Sequence, residues 1–150
     1  MDWTSKEDVQ LFVRLTKEAG VIVFGSTTAQ TVIDAGRRLP GRRKIVYTRG
    51  SKRAMPEGFE TTSEAPAELL ARLEKEGASG VAICGGSQVY TLFLRAGVVD
   101  ELYLTIEPKL FGSGVPFLGG SLECDLSLID VQQLNQNTVL LHYRLSQRSA

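Results

Sequence analysis

Twice in this chain a short β-branched run ends at glycine and opens directly into a stretch with helical spacing, and that arrangement leaves few folds available. Val21 to Gly25 (VIVFG) is followed by Ser26, Thr27 and Thr28, which can cap a helix running to about Ala35. Gly80 to Cys84 (GVAIC) runs into Gly85-Gly86 and a helix from Ser87 to Ala96, with Val89, Leu92 and Phe93 on one side. Between them, Lys44 to Thr48 repeats the strand pattern and Phe59 to Thr61 reads as a further short strand. Pro66 starts a helix to about Glu76, with Leu69, Leu70 and Leu73 inward. The remainder is β: Glu101 to Ile106, then Leu126 to Gln133 and Val139 to Leu145 around the Asn135-Gln136-Asn137 turn. Strands alternating with helices predict an α/β fold, a mixed and mainly parallel sheet covered by helices on both faces, closed by an antiparallel C-terminal strand pair. At 150 residues, 43% of them apolar, the chain is long enough to bury one substantial core and reads as a single domain.

Ligands of such sheets bind beyond the carboxyl ends of the strands. Here two of those ends, Gly25-Ser26-Thr27-Thr28 and Gly85-Gly86-Ser87-Gln88, offer small or hydroxyl residues at a helix start, where backbone N–H groups and the helix dipole favour phosphate oxygens. Either alone is compatible with an ordinary tight turn. The pair, beside a basic segment, favours a dinucleotide. That segment holds Arg37, Arg38, Arg42, Arg43, Lys44, Arg49, Lys52 and Arg53 without an acid among them; it could receive an anion or be a solvated rim.

A third feature lies near the start. Read as a helix from Ser5 to Ala19, the chain places Asp8 in one stripe with Leu11, Phe12, Leu15 and Ala19. A carboxylate there is costly unless a partner or a ligand meets it. The alternative is a plain helix-start acid, because Ser5-x-x-Asp8 and Thr4-x-x-Glu7 both resemble capping boxes.

Several classes are disfavoured. Basic and acidic residues balance at 17 each, so no global field draws nucleic acid. Cys84 and Cys124 are far apart and His142 is alone, so no metal site is expected; Cys84 reads as core and His142 as a surface or edge residue. No stretch approaches the roughly 20 apolar residues of a membrane span. The start lacks the layout of a signal peptide, and the expected compartment is the cytoplasm.

The order of motifs resembles dihydrofolate reductase: Trp3-x4-Asp8-x3-Phe12-x3-Thr16, then VIVFG with Thr28, LPGR (Leu39 to Arg42), ICGGSQVY (Ile83 to Tyr90) and DELYLT (Asp100 to Thr105). The resemblance implies that family's three-layer fold and the NADPH-dependent reduction of dihydrofolate. Asp8 would grip the pterin and support protonation of its N5, Thr105 would hydrogen-bond that carboxylate, and Trp3 would flank the site. Val9, Phe12 and Val32 would line the substrate pocket, and Arg42 would pair with the glutamate tail. Gly25, Ser26, Thr27, Thr28, Thr48, Arg49 and Gly85, Gly86, Ser87, Gln88, Val89 and Tyr90 would surround NADPH, Arg49 taking its 2′-phosphate.

The chain also departs from that family. A central hydrophobic strand normally precedes the Trp, and only Met1 and Asp2 do so here, which would leave two strands without a neighbour. An incomplete chain, a neighbour closing the gap, or a rearranged sheet would each account for it. Ser26 replaces a usual basic residue, and the helix after Thr28 is longer. GSGVPFL (Gly112 to Leu118) looks more like the reductase domain of riboflavin biosynthesis, which has the same fold, uses NADPH on a ribosylamino-pyrimidine and is not expected to need the Trp3 and Asp8 pair. A non-catalytic nucleotide binder is the third reading. Monomer and homodimer both remain open.

Overall fold

A computed structural model describes residues 3–48 and 55–146. Helix α1 (Lys6–Ala19) is opened by Ser5, whose hydroxyl accepts from the Asp8 N–H at 3.2 Å. It is closed by Gly20 in the left-handed region, φ 83°, where a side chain is strained. Strand β1 (Val21–Gly25), helix α2 (Ser26–Asp34), β2 (Arg43–Tyr47), β3 (Phe59–Thr62), α3 (Pro66–Lys75), β4 (Ala82–Ile83) and α4 (Ser87–Arg95) follow. The chain then turns to β5 (Glu101–Ile106), β6 (Leu126–Gln133) and β7 (Val139–Leu145).

The first four strands form a parallel sheet in the order β3-β2-β1-β4. Its centre is apolar on both sides because it is covered on both sides. Val21, Val23 and Ile45 face Leu69 and Leu73 of α3 and Val89 and Phe93 of α4. Ile22, Phe24 and Val46 face the opposite way, with Ala29 of α2 and Leu39, and Phe12 of α1 packs against them. Each such fully buried aliphatic or aromatic side chain contributes about 1.5–3 kcal/mol.

The β-sheet differs from expectation in its connectivity. β5 does not extend the parallel sheet; it joins the last two strands in a separate antiparallel sheet, β5-β7-β6. Among the described residues β4 pairs with β1 alone, and it is shorter than the predicted 80–84 run. β4 and β5 are thus, among the described residues, edge strands of their sheets, as are β3 and β6. A bulge between Leu128 and Asp130 shifts the β6 register.

Side-chain hydrogen bonds join the two sheets through α1. Glu107, just past β5, accepts from the Ser5 N–H at 3.0 Å and Ser5 Oγ at 2.7 Å, while its other oxygen accepts from Thr138 Oγ1 at 3.2 Å. Asn135 donates to Glu7 at 3.0 Å. These contacts hold both Glu107 and Glu7 below the ordinary carboxylate range. Arg14, Leu15 and Glu18 overlie Tyr103, Asp130, Leu140 and His142 across a hollow of about 220 Å³. His142 is therefore neither at an edge nor on the open surface: it sits on the central strand, stacked on Tyr103 with centroids 4.0 Å apart.

Candidate functional site

The carboxyl ends of β1 and β4 bring the two glycine turns together. Gly25 donates to the Gly85 carbonyl at 2.7 Å and Cys84 to Val23 at 2.8 Å, so the second turn is sewn onto the first. α2 and α4 start side by side from Gly25 and Gly86, and neither start has a side-chain cap or an acid in its first turn. First-turn N–H groups left in this way are receptors for an anion. Close approach favours glycine at both places: a Cβ at Gly25 would stand 3.2 Å from Val89 Cγ2, and one at Gly86 would stand 3.3 Å from Thr28 Oγ1. The cradle therefore fits a phosphate-bearing cofactor.

Tyr90 and the β5–β6 connection wall this cradle. Tyr90 lies against Gly85 and stacks on Phe117 with centroids 4.9 Å apart; burial pushes its hydroxyl up to about 12. Ser87 Oγ donates to the Pro116 carbonyl, and Gly119 donates to Thr91 Oγ1 at 2.8 Å. Gln88 lies against Gly119. Residues 116–119 were not anticipated at the site. Their Pro and Gly content marks a turn-rich segment but carries no sign of where it docks.

Not every predicted cofactor residue presents its side chain. Val89 is core, so only its backbone can face a ligand. Thr48 follows β2, its N–H donating to the Thr62 carbonyl at 2.8 Å. Arg49 lies outside the described residues. Cys84 is packed as expected, and burial raises its thiol to about 12.

Asp8 lies in the first turn of α1, whose far end leads through Gly20 directly into β1. It is half-buried, and its carboxylate has no hydrogen-bond partner among the described residues. Only its N–H is engaged, by the Ser5 cap. Thr105 is half-buried on the β5 face that pairs with Leu140, and it makes no hydrogen bond to Asp8. Val9, Phe12 and Val32 are half-buried on α1 and α2, Phe12 and Val32 against the Ile22–Phe24 layer. Trp3 packs edge-on to Phe111 at 5.6 Å.

Arg42 requires correction. Its guanidinium is 7% exposed and donates to Thr16 Oγ1 at 2.8 Å, Pro40 O at 2.9 Å and Val13 O at 3.1 Å. It clamps α1 to the turn before β2 instead of offering a fork to a carboxylate ligand. Among the described residues of the basic segment, Arg43 and Lys44 are also engaged within the chain. Arg43 binds Glu60 at 2.5 and 2.8 Å and Glu76 at 2.7 Å, and Lys44 donates to the Arg38 carbonyl at 2.8 Å.

The parallel sheet with paired bare helix starts, flanked by an antiparallel sheet, is an α/β fold shared by riboflavin-type reductase structures. A Shewanella sp. PV-4 protein provisionally assigned to riboflavin biosynthesis superposes with a TM-score of 0.83 at 21% identity, over 97% of this chain and 88% of its own. The Thermotoga maritima diaminohydroxyphosphoribosylaminopyrimidine deaminase/5-amino-6-(5-phosphoribosylamino)uracil reductase superposes at 0.73 and 18% identity, over 96% of this chain and 50% of its own. The chain belongs to the RibD C-terminal domain family, which it matches over residues 1–140.

Among sequence relatives, the uncharacterized protein YwjB of Bacillus subtilis is 31% identical over 125 residues, 81% of this chain and 71% of its own length. A Caenorhabditis elegans protein provisionally named a dihydrofolate reductase is 25% identical over 124 residues, 77% of this chain and 66% of its own. The wider fold expected from the motifs is correct. The family is the riboflavin-type one, the alternative that GSGVPFL suggested.

Proposed function

We propose that this chain is an NADPH-dependent reductase of a ribosylamino-pyrimidine. The observation that carries the reading is the cradle at Gly25 and Gly85-Gly86, in a chain of the RibD C-terminal domain family. Gly25 to Thr28 and Gly85 to Tyr90 hold the cofactor's phosphates through backbone N–H groups, Thr48 borders it, and Arg49 is assigned the 2′-phosphate on sequence grounds. The cofactor, when bound, supplies a hydride, which with one proton reduces a carbon–nitrogen double bond of the opened ribosylamine. The chain aligns the reactants and excludes water.

Asp8 and Thr105 would face the substrate, with Val9, Phe12 and Val32 as its apolar wall. The inward clamp of Arg42 removes the partner a folate tail would need, which favours the pyrimidine over dihydrofolate. One observation supports the folate reading in return: the half-buried Asp8 carboxylate, which has no hydrogen-bond partner among the described residues.

Consumption of NADPH, followed optically with each substrate in turn, separates the readings. Turnover with the pyrimidine is expected. Turnover with dihydrofolate alone would establish the folate reading, and cofactor binding with neither turnover would reduce the chain to a nucleotide binder.

A further inference from the structure

We infer that residues 116–121 form a strap that sets the geometry of the cradle, and that Thr91 is the positioning residue that fastens it. The strap belongs to the connection between β5 and β6 and descends α4 from its first turn to its last. Ser87 Oγ donates to the Pro116 carbonyl, and the Tyr90 ring stacks on Phe117. Further down, Gly119 donates to Thr91 Oγ1 at 2.8 Å and Arg95 donates to the Ser121 carbonyl at 2.9 Å. Positions 87, 91 and 95 recur every four residues and so share one side of the helix. Val89 and Phe93, on another side, face the core.

Thr91 lies on the strap side and is nonetheless only 5% exposed, because the strap covers it. Its hydroxyl is used in both directions: it donates to the Ser87 carbonyl at 2.7 Å and accepts the Gly119 N–H. With the bond from Ser87 Oγ to Pro116, these contacts close a ring on Ser87, the first residue of α4 and the neighbour of Gly86. A covered N–H that loses its acceptor is costly. Removal of the hydroxyl therefore releases the strap instead of leaving it in place.

The effect reaches the cradle through the turn. Tyr90 lies against Gly85, stacks on Phe117 and donates its N–H to the Gly86 carbonyl at 3.0 Å. A strap that lifts thus frees both the ring that walls the turn and the backbone that shapes it. Thr91 is too enclosed to meet a ligand and acts through Ser87 and Tyr90. This role rests on the reading that the cradle holds NADPH, and it assigns part of the cofactor affinity to a bond spanning 28 positions of the chain.

The test compares the full chain with Thr91→Val, which keeps the branched shape and loses the hydroxyl, and Thr91→Ser, which keeps the hydroxyl. In the free protein, hydrogen exchange of the Tyr90 amide should be about tenfold faster in Thr91→Val and near native in Thr91→Ser. Fluorescence titration with NADPH should give a Kd about tenfold weaker for Thr91→Val, with Thr91→Ser within about threefold of native. In turnover the loss should fall on KM for NADPH, with kcat within about twofold. Unchanged Tyr90 exchange in Thr91→Val, or an unchanged Kd beside a lowered melting temperature, overturns the inference. If the native chain binds no NADPH, the cofactor reading fails and the exchange rates alone decide the strap. If Thr91→Val does not fold, Phe117→Ala at an exposed position of the strap replaces it. About threefold is then expected in each readout, and no change overturns the inference.

Discussion

Arg42 shows how a single side chain can look like a ligand-binding group and be something else. With three donors engaged and almost no exposure, its removal strands the Val13 and Pro40 carbonyls and opens a polar void beneath α1. Arg42→Met should therefore lower unfolding free energy by about 2–4 kcal/mol in urea titrations. It should leave KM for the accepted substrate within about twofold, since a group acting through packing does not discriminate substrate binding. Arg42→Lys should recover little, because an ammonium cannot reproduce the planar fork. Gly25 belongs to the opposite case, a residue defined by what is absent. In Gly25→Ala the new methyl presses on Val89 and separates the two helix starts. NADPH affinity should fall about tenfold by fluorescence titration, while the melting temperature moves little.

At the level of elements, a set of ion pairs fastens β2 and β3 to α3. Arg43 bridges Glu60 and Glu76, and Arg72 bridges Glu64 and Glu76. Hydrogen bonds from these arginines hold Glu60, Glu64 and Glu76 below the ordinary 4.5. A carboxyl lowered on folding stabilises the native state above its unfolded value and loses that contribution as pH falls through the folded one. The urea midpoint should therefore be level from about neutral pH to about pH 5 and decline below. Glu60→Gln should flatten that decline, and an unchanged acid slope would show that the network contributes nothing. The cap of α1 offers a second check. Ser5→Ala removes both the Asp8 N–H acceptor and a donor to Glu107, and should cost about 1–2 kcal/mol.

Most elements could be read from the sequence because local rules define them. VIVFG alternates between two buried layers, Pro66 opens α3, and Gly20 closes α1. The cradle was half visible: its two glycine turns are local motifs, whereas their union through Gly25 and Gly85 depends on strand order. Arg42 could not be read, since its acceptors at positions 13, 16 and 40 converge only after α1 has packed. Nor could the allegiance of β5, because apolar alternation says that a strand exists and not which neighbour it takes.

For the molecule as a whole, the two sheets differ in how deeply they are held. Val23, Ile45 and Val46 are fully enclosed, whereas every residue of β6 is exposed. Amide hydrogen exchange in dilute protein should follow that division, with β1 and β2 exchanging only through global unfolding and β6 through local opening. Equal protection of β1 and β6 would mean that the two sheets open as one unit.

The ties at the start of α1 have a bearing on how the chain reaches this state. Ser5 meets Glu107 across 102 positions and Glu7 meets Asn135 across 128, while the strand–helix units beside them close over short loops. Closing the longest loops is entropically the slowest part of assembly. On a ribosome Phe12 can pack on β1 as soon as that strand forms, but the polar ties at the start of the first helix stay unmade until the final hairpin has emerged.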